Sequence, residues 1–338
     1  MKAFTTLGDG IEALKLSELP VPEIKAGEIL VKMRTASLNY RDLLVVKGVE
    51  SWKPLSRRIP ISDGVGEVVA VGNHVSRWKV GDLVSGIFLP KWLDGELTAE
   101  KYILPLGGAV ADGVLAEFVV FDQNSVVKIP NNLTPTEAAT LPVAALTAWH
   151  AVSRRSQVRS GESVLIPGTG GVSLFATQFV HALGGQPIIT SSSDEKLEKA
   201  KELGAIATIN YKKVPDWDEH IIELTNGKGV DHVIEVVGGE HLNRSLNAVK
   251  LSGTICFIGL IEGLRAPINT YQFVTKNVRI HGIETGSREM FEEMNQFIEL
   301  HQLKPVIDKV FGYNETREAL KHLEDGTHFG KIVVEYQA

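Results

Sequence analysis

The sequence predicts an α/β protein, a doubly wound parallel sheet joined to a β-barrel-like domain. Two observations predict the sheet. Residues 163–173 (Ser-Val-Leu-Ile-Pro-Gly-Thr-Gly-Gly-Val-Ser) run an apolar strand into a glycine cluster, with a helix behind it. Strand-like and helix-like runs then alternate as far as Ile283, the pattern of a parallel sheet covered on both faces. A third observation predicts the barrel: before residue 126 the runs are short, strand-like and separated by Gly and Pro turns.

The first region begins in a strand and repeats strand-like runs at residues 14–19, 29–36, 66–71, 83–88 and 118–120. Residues 91–115 form a longer loop, and loops of that length often carry function. Its Trp92, Tyr102 and Leu106 either line a substrate pocket or pack on the barrel. In the second region, strands are expected at 163–167, 187–190, 208–210, 230–237, 254–258 and 278–283. Helices are expected at 172–184, 194–203, 217–225 and 242–251. An amphipathic helix at 289–301 and a last strand at 331–336 return the chain to the first domain. The expected division is therefore 1–125 with 286–338, and 126–285.

Composition narrows the function. The chain has 338 residues, 43% hydrophobic and 22% charged, enough for about two packed domains. Its net charge of −6, with no basic block, gives nucleic-acid binding no electrostatic support. Residues 163–193 carry no Asp, Glu, Lys or Arg, but Pro167, Pro187 and several glycines interrupt them, against a membrane span. Met-Lys-Ala-Phe-Thr-Thr is not a signal peptide, so the cytoplasm is the expected location. Cys256 is the only cysteine; a disulfide framework or cysteine-rich zinc site is excluded, and a buried inert thiol is expected.

The glycine cluster suits a pyrophosphate. Gly168 and Gly170 let the backbone turn tightly and approach it, while Thr169, Gly171 and Val172 carry the chain into a helix whose N-terminus attracts anions. Gly-x-Gly-x-x-Gly is weak by itself, and here Ser173 replaces the third glycine. The surrounding alternation strengthens it: Gly168, Ser191, Gly238 and Gly259 all fall at the carboxyl ends of expected strands, where such sheets bind ligands. An acidic residue roughly 20 positions on usually bonds the ribose of NAD. This chain has Ser191, Ser192 and Ser193 there. Hydroxyls tolerate a 2′-phosphate, Lys196 supplies positive charge and Tyr211 a phenolic donor, so NADP(H) is expected over NAD(H). The alternatives are a solvated Lys196 and a serine helix cap.

Five motifs carry a family resemblance: Ala-Ser-Leu-Asn-Tyr-Arg-Asp (36–42), Asp-Gly-Val-Gly-Glu-Val-Val-Ala-Val-Gly (63–72), Val-Gly-Asp-Leu-Val (80–84), Gly-Thr-Gly-Gly-Val (168–172) and Gly-Lys-Ile-Val-Val (330–334). Together they resemble a medium-chain dehydrogenase/reductase over essentially the whole length, and within it the zinc-free quinone oxidoreductase branch. The resemblance implies a GroES-like β-barrel catalytic domain beside a Rossmann cofactor domain, an active site in the cleft between them, and a homodimer. It also maps the catalytic zinc ligands of related alcohol dehydrogenases onto Asn39, Ser62 with Asp63, and Val143. Val143 cannot bind a metal, and neutral Asn39 and Ser62 are poor zinc ligands. The ten histidines contain no His-x-x-x-His pair, so no zinc is expected.

Without a strong Lewis acid, hydride transfer rests on positioning, and an activated acceptor suffices: a quinone, enone or enal. The resemblance places Asn39 and Asp42 near the nicotinamide. Asn39 would donate its amide to the acceptor oxygen; Asp42 would fix Asn39, or merely cap a helix. Leu44, Val49, Glu50 and Trp52 stand where related reductases carry a proton-donating tyrosine, which leaves Tyr40 as a substitute donor or a packing residue. Further cofactor contacts are expected from Thr147, Gly259 with Leu260, Gly286 with Ser287, and Phe329 with Lys331. His150, one turn after Thr147, reads as a helix-face histidine. Competing readings are an alcohol or aldehyde dehydrogenase, and a non-catalytic NADPH-binding sensor or structural protein.

Overall fold

The computed structural model describes residues 1–265 and 267–336. The chain opens with β1 (Lys2–Thr5), β2 (Lys15–Glu18), β3 (Glu28–Ser37), α1 (Tyr40–Lys47), β4 (Asp63–Val71), β5 (Leu83–Gly86), β6 (Phe118–Asp122) and β7 (Val126–Lys128). α2 (Pro135–Ala138) follows, then a helical run from Leu141 to Arg155 that is wide-turned at both ends around α3 (Leu146–Trp149). Next come β8 (Ser163–Pro167), α4 (Gly171–Ala182), β9 (Gln186–Ser191), α5 (Asp194–Glu202), β10 (Ala207–Asn210), α6 (Trp217–Leu224) and β11 (Val230–Glu235). The series continues with α7 (His241–Ala248), β12 (Val249–Phe257), α8 (Thr270–Thr275) and β13 (Arg279–Gly282). It closes with α9 (Arg288–His301), β14 (Ile307–Gly312), α10 (Thr316–Glu324) and β15 (Lys331–Glu335).

Two compact units result: Met1–Leu146 with the chain from Thr285 onward, and Thr147–Glu284. Residues 126–146, expected in the second unit, cluster with the first. β7 pairs with β5, the Thr35 hydroxyl donates to Pro135 O, and the Val143 N–H donates to Asp63.

In the first unit the sheet order is β14-β15-β3-β4-β5-β7, with β6 also paired to β3. β3 shows why. Ile29, Val31 and Met33 face the core while Leu30, Lys32 and Arg34 are half-buried, the alternation of a one-sided strand. That alternation stops at Thr35, Ala36 and Ser37, all buried. Both faces are covered there, just before α1. Trp92 and Leu106 are buried in packing rather than lining an open pocket, and the Trp92 indole donates to Gly95 O. Tyr102 is about half exposed.

In the second unit six parallel strands run β10-β9-β8-β11-β12-β13. The helix expected to reach Leu251 ends at Ala248: Val249 turns extended and pairs with Val230, so β12 begins earlier than its apolar centre suggests. Cys256 is buried in β12 beside Ser156, and burial pushes its thiol up to about 11, so it is a poor nucleophile. No helix among the described residues is long and apolar enough to cross a membrane.

Candidate functional site

The second unit carries a backbone-built site. β8 ends at Pro167, and Gly168 takes a left-handed φ of 77° while its N–H bonds Thr190 O at 2.8 Å. Glycine adopts this conformation without the steric cost a Cβ would bring. α4 starts at Gly171 with Gly170 as an N-cap lacking a side-chain bond, so its first N–H groups have no intrahelical acceptor. A Cβ placed on Gly170 would meet nothing within 4 Å. The loop thus faces open space with donors converging on it, which fits a dinucleotide pyrophosphate. Ser173, at the third glycine position, turns its hydroxyl inward to Pro167 O at 2.8 Å and leaves the approach clear. Thr169 is buried beside it, and Val172 lies in the first turn of α4.

At the next strand end Ser191 is buried, and Ser193 caps α5 by accepting the Lys196 N–H at 3.4 Å. Of the two readings of the serines, a cap therefore applies to Ser193; Ser192 is half-buried beside it. Lys196 is half-buried, and Tyr211 is 41% exposed past β10. Sequence reasoning missed Lys213: its ammonium bonds Asp194 at 2.5 Å, and Asn210 donates to the same carboxylate at 2.7 Å. These partners hold Asp194 below the usual carboxylate range and offset the acid nearest the serines. Lys213 lay only two residues past the chosen tyrosine, but nothing marked it among its neighbours.

β11 and β12 end in touching turns. A Cβ on Gly259 would lie 2.0 Å from Val236 C, and one on Gly238 would lie 2.3 Å from Gly259 O. Glu235, also missed, fixes this turn: one oxygen accepts the N–H groups of Val237 and Gly238 at 2.8 and 3.1 Å. The other accepts from His241 at 2.9 Å and from the Ser245 hydroxyl. Burial alone would raise its pKa; the His241, Ser245 and Gly238 bonds outweigh that and hold it below the usual value. An acid at the apolar end of the strand, just before Val236 and Val237, was the available signal. Leu260 follows the turn. Thr147 is buried, and His150 is held on both ring nitrogens, near Glu284 O at 3.2 Å and by the Arg155 guanidinium at 3.2 Å.

The first unit carries a side-chain-built site at the covered end of β3. Pairing of Ser37 with Asp63 and with Val333 brings Asn39, Asp63 and Lys331 together. The Lys331 ammonium, 4% exposed, donates to Leu38 O and to Asn39 Oδ1, both at 2.5 Å. An ammonium only donates, so the Asn39 oxygen faces Lys331 and the NH₂ faces away. That Nδ2 is buried and has no partner within full hydrogen-bond geometry, yet it lies close enough to Asp63 to act as a weak donor that helps hold the carboxylate down. Asp63 also accepts from the Ser62 hydroxyl at 2.8 Å and the Val143 N–H at 3.0 Å. Burial raises the Asp63 pKa and lowers that of Lys331, each opposed by the charge of the other.

Asp42 completes the cluster. It accepts the Asn39 backbone N–H at 2.8 Å and Arg41 Nη1 at 3.0 Å, so it does cap α1 and also pins Asn39. This bond to the Asn39 N–H is the Asp42 part of a capping box at the start of α1. Burial pushes Asp42 up to about 6, with the Arg41 charge opposing and Asp63 reinforcing. Arg41 lies over the Phe88 ring and donates to Leu106 O and Gly107 O. Tyr40 is 42% exposed, so it is not a packing residue. Elsewhere, Ser287 is buried and caps α9, Gly286 packs on Leu146, and the Phe329 N–H bonds Asp308.

The model of the zinc-binding dehydrogenase family matches residues 171–300, and that of the alcohol dehydrogenase GroES-like domain matches 25–131. A zinc-type alcohol dehydrogenase-like protein of Schizosaccharomyces pombe is 42% identical, with 96% of each chain covered. The chain belongs to the medium-chain dehydrogenase/reductase superfamily. It is an oxidoreductase of that superfamily, with a Rossmann-like parallel sheet and a GroES-like domain as expected. Three solved structures resemble it. A putative alcohol dehydrogenase of Sinorhizobium meliloti has TM-score 0.92 at 40% identity, covering 99% of this chain and 98% of the other. An NAD-dependent alcohol dehydrogenase has TM-score 0.90 at 32% identity, covering 99% of both chains. A crotonyl-CoA carboxylase/reductase has TM-score 0.88 at 26% identity, covering 99% of this chain and 88% of the other.

The family names raise zinc. The residues present do not fit it. Among the described residues no three His, Cys, Asp or Glu side chains converge to hold a metal ion. The Asn39 oxygen is engaged by an ammonium, and both Asp63 oxygens accept hydrogen bonds.

Proposed function

We propose that the protein is an NADPH-dependent reductase of quinones or α,β-unsaturated carbonyls that works without zinc. The buried Asn39 amide carries this reading: its NH₂ has no partner within hydrogen-bond geometry, Asp63 lies near it, and an acceptor oxygen would give it a well-formed bond. The reduced nicotinamide, when bound, supplies the hydride. The chain's part is to orient and to stabilise. Holding donor and acceptor in near-attack geometry contributes about 7–11 kcal/mol. Asn39 then donates to the oxygen on which negative charge develops, and Asp42 and Lys331 hold Asn39 in place. Solvent, or the exposed Tyr40, supplies the proton that quenches the enolate or hydroquinone anion.

The Gly168–Val172 loop would hold the pyrophosphate. Ser191, Ser192, Lys196, Tyr211 and Lys213 favour a 2′-phosphate, since the nearby Asp194 is already paired. Thr147, Gly238, Gly259, Leu260, Gly286, Ser287 and Phe329 are the remaining proposed cofactor contacts, and a homodimer is the proposed assembly. The crotonyl-CoA carboxylase/reductase neighbour favours an enoyl acceptor. Alcohol dehydrogenase names among the relatives keep simple alcohols as the second reading.

NADPH oxidation over a panel of quinones, enals and enones, beside ethanol with NADP⁺, tests this. Turnover with conjugated acceptors and a roughly hundredfold loss in Asn39→Ala is expected. Turnover confined to ethanol, or an unchanged Asn39→Ala rate, overturns it.

A further inference from the structure

We propose that the Lys331 ammonium is the resident cation of this site, standing where metal enzymes of the family hold zinc, and that it is a positioning residue for the Asn39 amide. The three positions matched to zinc ligands do converge in this fold, around the Asp63 carboxylate and a buried lysine. Lys331 donates to Asn39 Oδ1, while Asp63 gathers Ser62, the Val143 N–H and the Lys331 charge. A flexible lysine normally carries its head group to water. This one turns its head inward at 4% exposure and finds two oxygen acceptors and two carboxylates, Asp42 and Asp63.

The arrangement balances: Arg41 and Lys331 against Asp42 and Asp63. A divalent ion added to it would bring two uncompensated charges beside an ammonium and would compete for oxygens already bonded. The Asn39 side-chain oxygen is turned to Lys331. What this orientation secures is the direction of the NH₂.

The kinetic part rests on the reductase reading; the metal part does not. Cobalt(II) titration of the purified full chain, followed by absorption and by metal analysis after desalting, is expected to give no tetrahedral band and substoichiometric cobalt. A stoichiometric band that Asn39→Ala removes overturns the proposal. Lys331→Met keeps length and volume but cannot donate. It is expected to lower kcat roughly a hundredfold with the NADPH dissociation constant unchanged, and Asn39→Ala added to it should cost little more. A loss of NADPH affinity with kcat preserved would make Lys331 a cofactor ligand instead, and multiplicative kcat losses would deny the coupling. Melting temperatures of the same two single variants and the double variant read that coupling without any acceptor, so a failed acceptor screen sinks only the reductase reading. If Lys331→Met does not fold, Lys331→Arg takes its place in the cycle, with non-multiplicative losses expected.

Discussion

The two candidate sites are built in opposite ways. The glycine loop of the second unit is contiguous, made of backbone, and open above Gly170. The Asn39 cluster of the first unit is made of side chains drawn from positions 39, 42, 63 and 331, closed to water and dense in charge. Backbone donors need no ionisation and little desolvation, so such a site tolerates emptiness. Buried charges depend on one another, so losing one member strands the rest. Perturbation should therefore damage folding at the first site and only binding at the second.

The largest effect is expected from Asp63→Asn. It keeps the shape but removes the carboxylate whose charge favours the Lys331 ammonium, and stranding that buried charge should cost up to about 3–5 kcal/mol. Urea denaturation should show that loss, and the double variant Asp63→Leu with Lys331→Met should recover most of it. A single variant as stable as the wild type would mean the cluster is not interdependent, and the contrast between the sites would fall.

The contrast also explains what the sequence could reveal. The glycine loop was legible because strand, glycines and helix follow one another within residues 163–182, so its pattern is carried by spacing. Asn39 and Asp42 were legible through their motif. Lys331 was placed among the cofactor contacts, because nothing local reports that β15 lies antiparallel to β3 with Val333 opposite Ser37. That register turns a C-terminal lysine into a neighbour of Asn39. The same limit hid Glu235, whose partners Val237, Gly238, His241 and Ser245 are assembled by a turn and the helix after it. Among elements, β14 went unread because Ile307–Gly312 has only one buried residue.

Asp42 sharpens the comparison through pH. Its pKa rises from 3.8 in the unfolded chain to about 6 in the fold. The folded state then holds this proton more tightly, so its contribution to stability is greatest below pH 4, falls as pH rises to about 6, and is flat beyond. The swing is about 3 kcal/mol at one pKa unit per 1.36 kcal/mol. Other carboxylates, such as Glu235 and Asp308, are shifted down and contribute the opposite slope. The quantity to measure is therefore the wild type minus Asp42→Asn, by urea denaturation at several values between pH 4 and 7. A difference independent of pH would place the Asp42 carboxyl in a wetter setting than its burial implies.

Gly170→Ala gives the smallest expected effect on the fold and the clearest on function. Gly170 has φ −81°, which alanine adopts without strain, and the added methyl would touch no protein atom within 4 Å. Stability should change by less than about 0.5 kcal/mol, as at a surface position away from special features. A pyrophosphate drawn onto the first N–H groups of α4 must, however, come close to that same space. The methyl should hold it back and weaken dinucleotide binding by about ten- to hundredfold, 1.4–2.7 kcal/mol. Fluorescence titration with NADPH reads the affinity, and urea denaturation of the same sample reads the fold. Equal affinity in the alanine variant would mean the phosphates lie elsewhere; a matching loss of stability would mean the loop is as interdependent as the Asn39 cluster. Separation of the two readouts is what a backbone cradle on a self-sufficient sheet requires.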